Sequence, residues 1–209
     1  MPSRFTIREY ENDQYYHIFN RGVEKRDIFQ DDRDYRVFLY YLKVFLSPRD
    51  ELDKDDPFFN ERRKNFAETA KLICYCLMPN HFHLMVRQTA DSGITDFMRA
   101  LSNAYTRYFN ERYERVGPLF QGKFKAAFIK KESYYLHLSG YIHRNPAGIG
   151  KDPLTYSFSS IEHFIDEQSL APAWLDPLPA LEAIGTHRAY KNFITGNDME
   201  EAAELSIDN

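Results

Sequence analysis

Two histidines stand two residues apart in the stretch MPNHFHLMV, which runs from Met78 to Val86. Its apolar residues are typical of a buried β-strand. Because a strand sends alternate side chains to opposite faces, His81 and His83 must point to the same side. Two imidazoles side by side fill a core poorly, but they are good ligands for a metal ion. We therefore predict that this pair binds a metal and leaves coordination positions open for a substrate.

A later helix carries groups that could complete such a site. His137, Tyr141 and Asn145 are spaced by four residues, so they share one helical face. Pro146 must end the helix, which frees the Asn145 amide to reach a metal. A phenol, with a pKa of about 10, attacks poorly at neutral pH unless a cation polarises its target. The combination predicts Tyr141 as a nucleophile, although each residue taken singly is common in protein cores.

Charge is distributed unevenly along the chain. The net charge is −4, which alone argues against a nucleic-acid binder. The segment 99–131 nevertheless has eight basic and two acidic residues, whereas the tail 192–209 has five acidic residues and no basic one. This separation predicts a localised anion-binding surface, unless the basic residues only solvate a helix.

The composition predicts a packed globular protein. Hydrophobic residues make up 43% of the 209 residues, and aromatic residues 16%. We find no apolar run long enough to span a bilayer and no signal-peptide pattern, so we expect a cytoplasmic protein. Cys74 and Cys76 are too close for an ordinary disulfide framework and are expected to be small buried thiols. We expect a catalytic domain over residues 1–150 and an extension over 151–209 that binds DNA or covers the site.

Hydrophobic periodicity and turn residues predict the elements that must position these groups. Asp31 or Asp32 should cap the first helix, and Ser92 or Thr95 the second. The connection 47–64 is expected to be loose, with Phe58 and Phe59 as possible anchors. The order is a strand at Gln14–Asn20, a helix at Arg33–Leu46, strands at Ala70–Met78 and His81–Gln88, a helix from Ile94 to Phe109, a strand at Phe124–Ile129 and a helix at Ser133–Arg144.

This order predicts an α+β fold of the ferredoxin-like type. Such a fold has an antiparallel sheet with helices on one face. The catalytic tyrosine would lie on an extra helix, and an irregular C-terminal extension would follow. A ligand would bind on the open face of the sheet or in the groove beside the last helix.

The motifs resemble a known family. MPNHFHLMV, followed by SGYIHRNPAGIG at Ser139–Gly150, resembles the HUH single-tyrosine transposases, and most closely their REP-associated tyrosine transposase branch. The resemblance extends over residues 14–160, through YYHIFNRGVEKRDIF, YTRYFNERYERVGPLFQGKFKA and the weaker YSFSS at Tyr156.

The resemblance implies a role for each motif residue. It implies a ferredoxin-like fold, with Mg²⁺ or Mn²⁺ bound by His81, His83 and Asn145 and with Tyr141 attacking a DNA phosphodiester. His143 is part of the motif but is assigned no chemistry. His137 is at most a supporting group, and Tyr134 is a less suitable nucleophile because the motif and the Asn145 spacing favour Tyr141.

The function implied is a metal-dependent endonuclease and strand transferase acting on single-stranded or hairpin DNA through a 5′-phosphotyrosine intermediate. The partner would be DNA of palindromic repeats, and the protein a monomer or homodimer. Aromatic residues of the basic segment, Tyr105, Tyr108 and Phe120, would stack on bases or, more in keeping with their spacing, fill the core. Residues expected to contact the DNA backbone are Arg21, Arg99, Arg107, Lys123 and Lys125.

Two other classes of function stay open at this point. A hydrolase that activates water at a metal would need the histidines but not Tyr141. A non-catalytic domain that binds single strands would need neither. The distinguishing feature is proximity, because only the transposase-like function requires Tyr141 close to both imidazoles.

Overall fold

A computed structural model describes residues 10–55, 63–130 and 133–196, and the predicted roles of Phe58, Phe59, Lys131 and the acidic tail lie outside these ranges. Four antiparallel strands form one sheet in the order β2-β3-β1-β4. Two strands have the predicted bounds, and the other two differ by one residue at each end. The strands are β1 (Tyr15–Arg21), β2 (Ala70–Met78), β3 (His81–Gln88) and β4 (Lys125–Phe128).

Two helices cover one face of this sheet, α1 (Asp32–Leu46) and α2 (Gly93–Arg112). The predicted cap of α1 is confirmed, since the Asp31 side chain accepts hydrogen bonds from the Arg33 and Asp34 amides. Ser92 stands at the N-cap position of α2 without a capping side-chain bond. The buried side chains of the two helices form one core with alternate residues of the sheet, among them Ile18, Phe82, Leu84, Phe38, Leu42, Phe97, Leu101 and Tyr105.

A buried ion pair locks α1 to α2. Asp34 is fully buried, and its carboxylate accepts hydrogen bonds from the Tyr108 and Tyr113 hydroxyls and from Arg112, whose Nη1 lies 2.6 Å away. Arg112 also bonds Asp31 at the start of α1. The Gln30 amide, just before α1, also donates to this carboxylate at 2.8 Å, so the buried charge is well satisfied. Its bonds to Tyr108 and Arg112 orient α1 and α2 relative to each other on the sheet.

The opposite face carries the helix α3 (Ser133–Arg144), which has the predicted bounds and continues into a 3₁₀ turn at Asn145–Ile149. Three short helices follow, α4 (Glu162–Ile165), α5 (Leu178–Glu182) and α6 (His187–Thr195). They enclose a second core that contains the free thiols of Cys74 and Cys76, as predicted. The helices of the ferredoxin-like arrangement thus lie on one face, and the extra helix covers part of the other.

The segment after α3 is tied to the outer edge of β2. The Ser160 amide donates to the Tyr75 carbonyl at 3.0 Å, and the Leu77 amide donates to the Phe158 carbonyl at 2.9 Å. Further along β2, the Asp176 amide donates to the Leu72 carbonyl at 2.8 Å. This segment therefore covers the edge of the sheet at β2, which would otherwise be exposed. Within the described ranges, none of the helices combines the length and the apolarity needed to cross a membrane.

A buried hydrogen-bond network joins α3 to this segment. The Tyr190 hydroxyl donates to Ser139 at 2.9 Å, so its oxygen accepts the Nδ1–H of His143 at 2.7 Å. The other ring nitrogen, Nε2, lies 2.8 Å from the Ser160 hydroxyl. His143 is fully buried, and this burial lowers its pKa to about 3. The ring is therefore neutral in the folded protein near neutral pH. Its hydrogen bonds connect α3 to α6 and to the segment paired with β2.

This network makes stability depend on pH. Unfolded His143 takes up a proton below its ordinary pKa of about 6.5, whereas the folded residue does so only near 3. The stabilisation is therefore complete above pH 6.5 and falls by about 1.4 kcal/mol per pH unit between those values. Urea denaturation from pH 4.5 to 6 measures how steeply the free energy of unfolding rises with pH. We expect this slope to be smaller in His143→Gln than in the wild-type protein by about 1.4 kcal/mol per pH unit.

Ser160→Ala is the matched control for this prediction. It removes one partner of the ring but keeps the ring itself, so stability should fall while the slope is retained. An unchanged slope in His143→Gln would show that His143 does not become protonated on unfolding in this range.

Candidate active site

The pairing of β1 with β3 brings three histidines onto the sheet face that α3 covers. His81 lies opposite Arg21, and His83 lies opposite Phe19, two residues after His17. The ring centroids of His81 and His83 are 4.9 Å apart, and those of His17 and His83 are 5.0 Å apart. The two predicted histidines therefore share one face, as strand alternation requires, and His17 joins them.

Helix α3 places Tyr141 directly against this cluster. Its ring meets His83 edge to face, with centroids 5.6 Å apart, and lies 5.9 Å from the ring of His17. Tyr141 and His81 also line one cavity of about 350 Å³. The proximity that distinguishes the three possible functions is therefore present. The other residues lining the cavity are Met78, Arg144, Asn145, Gly148 and Ile149.

Asn145 holds the end of α3 and faces the same cavity. Its Nδ2 donates to the carbonyls of Tyr141 at 2.9 Å and Ile142 at 3.4 Å, in the last turn of α3. These bonds fix the amide plane. Its Oδ1 accepts no hydrogen bond from the described residues, and an amide oxygen is a suitable ligand for a hard divalent cation.

The hydrogen bonds of the two predicted ligands orient their rings. The Nδ1 of His81 lies 2.6 Å from Oδ1 of Asn80, an oxygen that can only accept. The neutral His81 ring therefore has its proton at Nδ1 and its lone pair at Nε2. His83 is almost fully buried; its Nδ1 lies 2.8 Å from Nε2 of His17, while its Nε2 has no hydrogen-bond partner in the described part of the chain.

Burial keeps the deeper histidines neutral. It lowers the pKa of His83 well below the ordinary value, and His17, His81 and Arg21 lower it further by repulsion. Burial also lowers the pKa of His17 to about 3. Protons therefore do not compete with a metal for the His83 ring near neutral pH.

The donors present fit a divalent cation that keeps open positions. His81 and Asn145 line the cavity, and His83 lies behind it against the ring of Tyr141. The buried Nε2 of His83 has no hydrogen-bond partner among the described residues and is a group that an ion would satisfy. Over the described ranges, the structure has no group of three or more His, Cys, Asp or Glu arranged to hold a metal. The candidate ligand set is therefore the mixed one of His81, His83 and Asn145.

The predicted DNA contacts divide between the two faces of the sheet. Arg21 lies beside His81, and Lys125 lies opposite Phe19 with its Nζ 5.8 Å from that ring. Lys123 is exposed just before β4. Arg21 and Lys125 therefore lie in strands next to the candidate site, and Lys123 lies in the loop that leads into β4.

Arg99 and Arg107 lie on α2, across the sheet from Tyr141, and pair with Asp96 and Glu111 of the same helix. The basic segment therefore does not form one surface. Arg99 and Arg107 lie on α2, which covers one face of the sheet, whereas Lys125 lies beside Phe19 on the other face. The aromatic residues of this segment pack in the core, where Tyr105 is fully buried and Phe120 nearly so.

Two further predicted residues fall outside the cluster, and one member of the cluster was missed. His137 packs its ring against Phe193, 5.8 Å away, and Tyr134 packs into the second core. His17 was not predicted as part of the site. The signal that could have found it is its even spacing from Arg21 in β1, which places both on one face once β1 is paired with β3.

Part of the chain is similar to a known protein family. The family of IS200-like transposases matches residues 58–145, a range that contains His81, His83, Tyr141 and Asn145. No curated protein matches the chain significantly.

Two solved structures are similar to the chain. One is a REP-associated tyrosine transposase bound to a REP hairpin, with 16% identity, a TM-score of 0.54, and 81% of this chain and 88% of that chain covered. The other is a Deinococcus radiodurans protein assigned as a transposase, with 15% identity, a TM-score of 0.39, and 68% and 95% covered. The first shows that the fold is shared, and the second is too distant to support an argument. The resemblance predicted from the motifs is therefore confirmed: over residues 58–145 the chain is similar to the IS200-like transposases, and over most of its length it has the fold of a REP-associated tyrosine transposase.

Proposed function

We propose that this protein is a metal-dependent DNA endonuclease and strand transferase that acts through a 5′-phosphotyrosine intermediate. The observation that carries the proposal is the position of Tyr141, whose ring lies against His83 and lines one cavity together with His81 and Asn145. A water-activating hydrolase has no use for a tyrosine at this point. A simple binding domain has no use for the buried imidazole nitrogen beside it.

The cavity suits an unpaired strand. Its volume of about 350 Å³ is large enough for a phosphate and its neighbouring sugar, and a nucleophile on a helix that covers the sheet cannot readily reach into an intact duplex. The similar structure of a REP-associated tyrosine transposase is bound to a REP hairpin. We therefore propose single-stranded or hairpin DNA of palindromic repeats as the substrate class.

The chemistry follows from the residues that line the cavity. The Tyr141 oxygen attacks the phosphorus in line, the P–O3′ bond breaks, and the 5′ phosphate remains esterified to the tyrosine. The phenol loses its proton as the new bond forms, and the departing 3′ oxygen takes one up. One phosphodiester is exchanged for another, so the reverse reaction joins strands without ATP.

The role of the other groups is electrostatic. His81, His83 and Asn145 would hold Mg²⁺ or Mn²⁺, which when bound supplies Lewis-acid stabilisation of the charge on the phosphate oxygens. Arg21, which lies opposite His81 in the sheet, adds a positive charge next to this ligand. Imidazole nitrogens are softer ligands than the oxygens that Mg²⁺ prefers, so Mn²⁺ is the better probe of the site.

The substrate strand is proposed to leave the cavity along the β1–β4 side of the sheet. Lys125 and Phe19 adjoin each other there, and Phe19 lies 6.1 Å from the ring of His83. A lysine next to a phenyl ring can contact a phosphate while the ring stacks on a base. Lys123 extends this side, whereas Arg99 and Arg107 would be reached only by DNA that passes around to α2.

Covalent trapping tests the proposed reaction. End-labelled hairpin and single-stranded oligonucleotides are incubated with the protein and Mn²⁺ and then run on a denaturing gel. We expect a metal-dependent protein–DNA band that is absent in Tyr141→Phe, which lacks the nucleophile, and in His81→Ala, which lacks a ligand. Tyr134→Phe is the matched control and should retain the band.

The other possible results of this trapping experiment would contradict the proposal. Cleavage that persists in Tyr141→Phe would favour a water-activating hydrolase. Binding of these oligonucleotides without cleavage by the wild-type protein would favour a non-catalytic domain. A band that is lost in Tyr134→Phe and kept in Tyr141→Phe would identify Tyr134, two helical turns earlier in α3, as the nucleophile.

The salt dependence of binding tests the proposed path of the strand. In a Tyr141→Phe background, which cannot cleave, Lys125→Gln should lower the magnitude of the slope of log K against log salt concentration by about 0.7, the value for one phosphate contact on a single strand. Arg99→Gln, which removes a charge from the opposite face, should leave the slope unchanged. Fluorescence anisotropy with a labelled hairpin measures both. Equal changes in the two variants would place the strand on both faces.

A further inference from the structure

His17 is a buried histidine whose only hydrogen bond among the described residues is to a proposed metal ligand. It is fully buried in the middle of β1. Its Nε2 lies 2.8 Å from the Nδ1 of His83, and the two rings lie edge to edge in nearly the same plane, at an interplanar angle of 21°. The other nitrogen of His17, Nδ1, has no hydrogen-bond partner in the described ranges.

Packing alone does not account for an imidazole at this position. Phenylalanine or leucine would fill a similar space between the sheet and Tyr141 without burying a polar nitrogen that has no partner. The neighbouring residues on the same face include Phe19, so the environment accepts an aromatic ring. The hydrogen bond to His83 is therefore the feature that distinguishes histidine from an apolar residue here.

The direction of this hydrogen bond decides whether His83 can bind a metal. In a bond between two neutral imidazoles, one nitrogen donates and the other accepts. If the Nδ1–H of His83 donates to His17, the Nε2 of His83 keeps its lone pair. If His17 donates instead, the proton of His83 must lie on Nε2, and that nitrogen cannot act as a ligand.

We propose that His17 is a positioning residue, which accepts the Nδ1–H of His83 and so holds that ring in the tautomer and orientation that bind a divalent cation through Nε2. The inference rests on the proposed function, because it assumes that His83 is a metal ligand. Metal-bound histidines commonly donate their second nitrogen to a carboxylate or a carbonyl, and here an imidazole takes that place. Asn80 takes the corresponding place for His81, at 2.6 Å from its Nδ1.

The test compares two substitutions of His17 in the full chain. His17→Phe keeps a planar ring but removes the acceptor, and we expect Mn²⁺ affinity, measured by isothermal titration calorimetry without DNA, to fall about 10- to 100-fold. His17→Gln can offer an amide oxygen close to the former Nε2 and should restore most of the affinity. Unfolding temperatures without metal show whether each variant is folded.

A spectroscopic readout separates positioning from general damage. With ¹⁵N-labelled histidine, the ring of His83 in the metal-free wild-type protein should show the tautomer protonated at Nδ1. His17→Phe should shift it toward the form protonated at Nε2, and His17→Gln should keep the wild-type tautomer. A purely structural role for His17 would change stability without this pattern.

The failure of the inference can be told from the failure of the proposed function. If the wild-type protein and His17→Phe bind Mn²⁺ equally well, His17 does not position the ligand, and the proposed function is unaffected. Equal losses of affinity in His17→Phe and His17→Gln, with lowered unfolding temperatures in both, would also overturn the inference. A wild-type protein that binds no Mn²⁺ would overturn the metal-dependent function and the inference together.

Discussion

The antiparallel pairing of β1 with β3 determines where every group of the candidate site lies. Its register puts Arg21 opposite His81 and Phe19 opposite His83, with His17 on the same face. A slip of one residue would move the whole β1 set into the core beneath α1 and α2. Tyr16 and Ile18 are buried in that core. A slip would expose them on the other face, so their burial stabilises the observed register.

The nucleophile depends on a second constraint, the attachment of α3 to the sheet. The helix is held by the second core and by the buried network of His143, Tyr190, Ser139 and Ser160. Ser160 also belongs to the segment paired with β2, so the residues after α3 contribute to placing Tyr141. The region 151–196, whose sequence pattern is irregular, is in this sense part of the support of the site rather than an appendage.

Features of the site that depend on local interactions could be predicted from the sequence, and features that depend on contacts between distant residues could not. The shared face of His81 and His83, and that of Tyr141 and Asn145, depend only on the local periods of a strand and a helix. His17 was missed because its place in the cluster depends on pairing between strands that are distant in sequence. The basic segment was read as one surface because a sum of charges along the chain ignores the face on which each element lies. The role of His143 depends on Tyr190 in the same non-local way.

The electrostatics of the cavity link metal binding to DNA binding under the proposed function. The described residues that line it include an imidazole, an amide, a phenol and Arg144, but no carboxylate. Such donors coordinate a cation without cancelling its charge, and Arg21 beside His81 opposes it further. Under the proposed function, the phosphodiester of the substrate would supply the negative charge that the lining residues do not. Under the proposed function, the cation and the phosphodiester would therefore favour each other's binding by electrostatic attraction. Because coupling free energies are reciprocal, each would raise the affinity for the other by the same factor.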